Sequence, residues 1–370
     1  MSQITPYLKL MVDKGGSDLF LSVGARPQLK IEGKAVPIGH THLDPDALKG
    51  LAASIMDAEQ QREFETSLEL NTGFSAEGIG RFRANLYRQR GQIAIVLRHI
   101  KQTIPSIEAL GLPSILSELV LKERGLLLVV GATGSGKSTT LAAMLDYRNQ
   151  HCSGHILTIE DPIEFLHQHK RSVVDQREVG IDTLSYGAAL KNALRESPDV
   201  IMIGEVRDAD TMQHALHFSE TGHLCLATLH ASNANQALER VINFFPEDAR
   251  DRALQDLALH LQAIVSQRLV RGRDAKRIAA VEVLINSPTI ADYIENARIG
   301  DLKQFMEQQT VEGIQTFDQC LYALYEANQI DAKEAVRNAD SQHNVRLRIE
   351  FAHPGTFATT EAPDLSIGDA

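Results

Sequence analysis

Residues 131–138 read Gly-Ala-Thr-Gly-Ser-Gly-Lys-Ser and meet the spacing G-x-x-x-x-G-K-[ST]. Their flanks narrow the fold more than any other feature of the chain. The apolar run at 126–130 feeds in as a strand, and 138–147 follows as a helix. Glycines let successive backbone N–H groups turn inward and cradle phosphate oxygens. The helix start adds the positive end of its dipole. Lys137 then reaches the β- and γ-phosphates, and the Ser138 hydroxyl ligates Mg²⁺. The expected ligand is ATP with Mg²⁺, held by Gly131, Ala132, Thr133, Gly134, Ser135, Gly136, Lys137, Ser138 and Thr139.

Strands and helices alternate after this loop. Strands are expected at 155–159, 200–203 and 224–228, and helices at 186–195 and 208–220. That order predicts an α/β fold, a parallel sheet covered by helices on both faces. Helices dominate from about 286 to 350.

The strand ends carry chemistry. Residues 199–205, Asp-Val-Ile-Met-Ile-Gly-Glu, deliver Glu205 to the sheet edge, where a carboxylate supports Mg²⁺ and its waters. Residues 158–164 place Glu160, Asp161 and Glu164 at another strand end, and Pro162 forces a turn there. One of these acids could polarise the attacking water. Residues 221–230 bracket a strand with His223 and His230, and a histidine at a strand's C-terminal end can donate to a γ-phosphate oxygen.

Residues 1–98 read as a separate α+β unit. Strands are expected at 18–23 and 28–32 around the turn Gly24-Ala25-Arg26-Pro27, and helical spacing at 44–65. A hairpin is expected at 79–98, with Phe82, Ala84 and Leu86 alternating against Arg81, Arg83, Asn85 and Tyr87. Residues 99–120, with Pro105 and Pro113, form a connector. The tail 353–370 lacks Lys and Arg and reads as disordered.

Composition closes off alternatives. A net charge of −11 and no basic, aromatic-rich stripe argue against a nucleic-acid partner. No apolar run reaches the roughly 18 residues of a membrane span, so direct membrane insertion is not expected. Cys152, Cys225 and Cys320 fit no metal-ligand spacing and read as reduced cytosolic thiols.

The four strand-end elements, in this order, resemble the bacterial secretion ATPases of the type II and type IV pilus machinery. GATGSGKST is similar to that family's Walker A loop, 159–165 to its acidic box, 199–208 to a Walker B ending in Glu, and 221–230 to its histidine box. Residues 17–34 and 81–91 resemble its PAS-like N-terminal domain. The resemblance spans about 5–350. It implies a RecA-like P-loop ATPase domain at 121–352, a smaller PAS-like α+β domain at 1–98 and a linker at 99–120.

The length and the lack of a four-cysteine insertion are similar to the retraction branch, the PilT/PilU group. The signature AIRNLIREGK of PilT is altered at 289–298, where Ala291 and Glu295 replace both interior arginines and Ala297 replaces the glycine. Residues 315–325 and 337–351 resemble PilU more closely. The resemblance implies that Glu164 is the catalytic base, Glu205 the Walker B acid and His230 the γ-phosphate sensor. It implies that Arg83 and Arg98 approach nucleotide phosphates. The implied assembly is a homo-hexamer, alone or mixed with a PilT-like ATPase, at the cytoplasmic face of the inner membrane. There it acts on the pilus platform protein and drives retraction. An accessory ring subunit with little ATPase activity of its own stays open as the alternative.

Overall fold

Apolar residues at every second position of 82–86 need one face to bury, and they find it. The computed structural model of the chain describes residues 3–31, 33–100, 103–308 and 313–357. The chain divides into two units. One is Met1–Ile104 with Pro162–Gln168 and Arg177–Leu184, and the other is the remainder.

The first unit contains α1 (Thr5–Asp13), β1 (Asp18–Ser22), β2 (Gln28–Ile31), β3 (Lys34–Pro37), α2 (Pro45–Ala53), α3 (Ala58–Ser67), β4 (Glu69–Ala76), β5 (Gly80–Gln89) and β6 (Gln92–Ile100). Its six strands form one sheet in the order β3-β2-β1-β6-β5-β4, and neighbours run antiparallel. Phe82, Ala84 and Leu86 are fully buried and share a core with Leu8, Met11, Leu48, Leu51 and Phe64 of the helices. The β5–β6 turn is Arg90-Gly91, with φ of 50° and 74°. Two positive φ values suit a two-residue hairpin loop to the strand twist, which is why glycine sits there.

The helical spacing at 44–65 resolves into two helices rather than one. Asp57 opens a second N-terminus. Its carboxylate accepts from the Glu59 and Gln60 amides, both at 2.9 Å, and Gln60 Oε1 accepts from the Asp57 amide at 3.0 Å. This reciprocal capping box outweighs a continuous helix across Ser54–Met56. Strands β3 and β4 were not foreseen.

The second unit holds α4 (Ile115–Val120), β7 (Gly125–Val130), α5 (Lys137–His151), β8 (Gly154–Glu160), β9 (Ser172–Glu178), α6 (Tyr186–Ala193), β10 (Val200–Ile203), α7 (Ala209–Glu220), β11 (Leu224–Leu229), α8 (Ala234–Phe244), α9 (Glu247–His260), β12 (Leu261–Arg271) and β13 (Arg277–Ile285). Five helices follow: α10 (Pro288–Glu295), α11 (Leu302–Gln308), α12 (Phe317–Glu326), α13 (Ala332–Asn338) and α14 (Gln342–Ala352). The sheet order is β13-β12-β7-β11-β10-β8-β9. Strands β12, β7, β11, β10 and β8 run parallel, while β13 turns back antiparallel on β12. Every residue of β7, β10 and β11 is buried, so both sheet faces are covered. On one face Leu141, Met144 and Leu145 of α5 pack with Leu127, Val129, Met202 and Leu226.

The β12–β13 hairpin, the edge strand β9 and helix α4 inside the connector went unread in the sequence. The tail is described only as far as Phe357, so the expectation for 358–370 lies outside the described residues.

Candidate functional site

Parallel strands put their C-terminal ends on one sheet edge, and the strand-end chemistry gathers there. The β10–β11 and β11–β7 registers pair Ile203 with Ala227 and Leu229 with Val130. The phosphate loop, the Gly204-Glu205 step and His230 therefore leave adjacent strands side by side.

The loop itself is shaped by glycine. Gly134 and Gly136 have φ of 78° and 94°. At Gly131, φ is 157° and an added Cβ would fall against Ser135 Oγ and 2.5 Å from the Gln267 carbonyl oxygen. Gly136 starts α5 without any side-chain cap. The first amides of the helix are thus left for a ligand. Ser135 Oγ is buried and has no hydrogen-bond partner, a donor suited to a phosphate oxygen. Lys137 is buried, and its ammonium donates to the carbonyls of Gly131 at 2.8 Å and Ala132 at 3.0 Å. Burial holds its pKa below the ordinary lysine value, and the negative charge of Glu205 partly restores it. Ser138 is exposed at the first turn of α5.

We expect Gly131→Ala to lower nucleotide affinity at least about tenfold and to destabilise the chain by roughly 1–3 kcal/mol, since an L-residue strains at this φ. Titration with a fluorescent nucleotide, beside a denaturant melt, measures both.

Glu205 lies between His230 and Arg207. His230 Nε2 lies 2.9 Å from Glu205 Oε1, and Arg207 Nη2 lies 2.6 Å from Oε2. Arg207 also reaches Asp161 at 3.5 Å. The Glu205 carboxylate, as hydrogen-bond acceptor, raises the Arg207 pKa. Gly204 allows the close approach. A Cβ there would meet Tyr186 Oη at 2.9 Å and the Ile159 carbonyl at 3.1 Å. Burial pushes the Tyr186 phenol up, so it stays a neutral donor.

Among the described residues no group of three or more His, Cys, Asp or Glu is arranged to hold a metal ion. The Ser138 hydroxyl and the Glu205 carboxylate, two hard oxygen donors, fit a Mg²⁺ whose remaining shell is phosphate oxygen and water.

The remaining predicted site residues belong to the first unit. Glu164 is exposed on the segment Pro162–Gln168. The amide of its neighbour Ile163 donates to buried Glu178 at 3.3 Å. Burial raises the Glu178 pKa, against the pull of the Ile163 amide, Arg83 and Arg81. Arg83 and Arg98 stand directly opposite across β5 and β6. Arg98 Nε pairs with buried Asp18 at 2.9 Å.

Gln267 is a site residue that sequence reasoning missed. Its Oε1 accepts from Thr140 of α5 at 2.6 Å, and its backbone oxygen backs Gly131. The signal was faint: a run of three polar residues, Ser266 to Arg268, within β12.

A parallel sheet with a phosphate loop at its C-terminal edge, backed by an acid–histidine pair, defines a P-loop ATPase. The chain belongs to the family described as type II/IV secretion system protein, whose model matches residues 79–350. It is 52% identical over 345 residues to the type IV pilus ATPase PilU of Pseudomonas aeruginosa, covering 93% of this chain and 90% of that one. The type IV pilus retraction ATPase PilT of the same organism is 39% identical over 341 residues, covering 92% and 99%. A crystal structure of the pilus retraction motor PilT with bound ADP superposes with a TM-score of 0.85 at 39% identity, covering 92% of this chain and 98% of the other.

Proposed function

We propose that this chain is an ATP-hydrolysing motor subunit that drives type IV pilus retraction and twitching motility. The observation that carries the reading is an intact phosphate loop with the Glu205–His230 pair beside it, in a chain 52% identical to a type IV pilus ATPase over nearly its whole length.

Residues 131–139 bind the triphosphate, with Lys137 leaving the Gly131 and Ala132 carbonyls for the β- and γ-phosphates. Ser138 and Glu205 would hold Mg²⁺, which would supply positive charge against the charge developing in phosphoryl transfer. His230, 2.9 Å from Glu205 Oε1, senses the γ-phosphate. Glu164 polarises the attacking water, and Arg83 stabilises charge on the transferred phosphoryl group. Arg98 has a structural partner in Asp18, so its loss also costs stability.

The working assembly is a homo-hexamer, alone or with a PilT-like partner. It sits at the cytoplasmic face of the inner membrane against the platform protein. Among the described residues no helix is long and apolar enough to cross a membrane. The PAS-like domain at 1–98, the linker at 99–120 and the ATPase domain at 121–352 are the parts whose rotation transmits force.

Phosphate release by the purified chain, alone and mixed with a PilT-like ATPase, tests the reading. Mg²⁺-dependent turnover by the chain alone is expected. Turnover only in the mixture would move the chain to the accessory class.

A further inference from the structure

The loop that follows His230 is short, and both of its ends are tied down. His230 pairs with Glu205. Asn233 Oδ1 accepts from the Gln236 amide at 3.0 Å and caps α8. The next amide, Ala234, donates to Glu282 of β13 at 2.8 Å, and Ser266 Oγ donates to the same carboxyl at 3.0 Å. Glu282 is buried, and burial pushes its pKa up to about 7.

Between these ends lies one cation. Arg268 of β12 donates from Nη2 to the Ser232 carbonyl at 3.2 Å and to Asp340 Oδ1 at 2.5 Å. From Nη1 it donates to the Asn338 carbonyl at 2.7 Å. Its guanidinium lies 3.9 Å over the Phe317 ring. Asp340 is anchored in turn. Its amide donates to Asp318 at 2.7 Å, and Lys303 bridges Asp318 at 3.2 Å and Asp340 at 3.6 Å. Arg268 therefore joins the loop after His230 to α12 and the α13–α14 junction, where Asn233 Nδ2 of the same loop also donates to Asp340 at 3.5 Å, and Lys303 ties that junction to α11.

We infer that Arg268 is a positioning residue for His230, clamping the loop 230–233 to the C-terminal helices so that a shift of the histidine and a shift of those helices occur together. The inference rests on the proposed role of His230 at the γ-phosphate. With three residues between His230 and Ala234, the loop has few free dihedrals to absorb a displacement. The Ser232 carbonyl must move with its neighbour, and Arg268 passes that motion to Asn338 and Asp340. A planar guanidinium can serve two carbonyls and a carboxylate while stacking on a ring. A lysine ammonium keeps the charge but loses the fork and the stack.

The test uses the full chain, an unhydrolysable Mg·ATP analogue, amide hydrogen exchange and steady-state kinetics. In the unsubstituted protein the analogue should protect residues 131–139 and residues 338–345 together. Arg268→Lys should bind the analogue with affinity within about twofold and protect 131–139. It should leave 338–345 unprotected, and kcat should fall about tenfold with KM nearly unchanged. Asp340→Asn keeps both carbonyl contacts of Arg268 and should show the same pattern at about threefold. It decides the matter should Arg268→Lys fail to fold. Wild-type kcat in both variants would overturn the inference. So would protection of 338–345 that survives both substitutions, or a wild-type response confined to the phosphate loop. No protection at 131–139 in the unsubstituted protein would instead remove the nucleotide reading beneath it.

Discussion

Lys137→Ala is expected to lower ATP turnover by at least about 10²–10³-fold, the cost of removing a pre-organised charge from a reacting centre. Lys137 is the one cationic side chain in residues 131–139. It is buried, and two loop carbonyls keep its ammonium at the phosphate loop until phosphate oxygens displace them. The same burial disfavours its charged form. Replacing it removes a desolvated charge, and the melting temperature should not fall. A phosphate-release assay beside a thermal melt separates the two effects. Undiminished turnover in a folded variant would place catalysis outside this loop.

The second large effect is expected at Glu164. Glu164→Gln keeps size and polarity but cannot accept a proton. Nucleotide affinity should persist while kcat falls roughly 10²-fold or more. Arg83→Ala should lower turnover through a different group. Arg83 faces Arg98 across the hairpin, and two like charges directly opposite destabilise a strand pair by roughly 0.2–1 kcal/mol. Arg98 is compensated by Asp18, whereas Arg83 contributes its charge to the surroundings of Glu178. An arginine kept in that position suits an incoming phosphate, and arginines supplied to related NTPases raise rates by about 10³–10⁵. Mixing Arg83→Ala with Glu164→Gln subunits should recover activity if each residue completes a neighbour's site. Mixtures that never exceed the separate variants, in rings shown to exchange subunits, would exclude completion in trans by Arg83.

Much of the core was legible because its signals are local. The fully apolar 126–130 predicted a central parallel strand, and the alternation at 82–86 predicted a half-buried one. The phosphate loop, Glu205 and His230 follow from strand ends, and the parallel sheet brings them side by side. The break at Asp57 comes from the capping pair Asp57 and Gln60, which outweighs the apolar periodicity that runs across it. The hairpin β12–β13 was harder. Most of its residues are buried, polar ones among them, and its return strand breaks the parallel order that the upstream units establish. Gln267 and Arg268 left only a faint signal, a polar stretch within β12, and their roles come from distant partners. Their partners, Thr140, Ser232, Asn338 and Asp340, lie 36 to 127 residues away along the chain.

The most direct measurement of the central proposal is twitching and surface piliation in a piliated host that lacks this chain. The host is complemented either with the wild-type protein or with Lys137→Ala. The account predicts that the deletion strain and the Lys137→Ala strain keep their surface pili but lose twitching, and that the wild-type protein restores it. Loss of surface pili in the deletion strain would indicate assembly rather than retraction, and restoration of twitching by Lys137→Ala would contradict a motor driven by this nucleotide site.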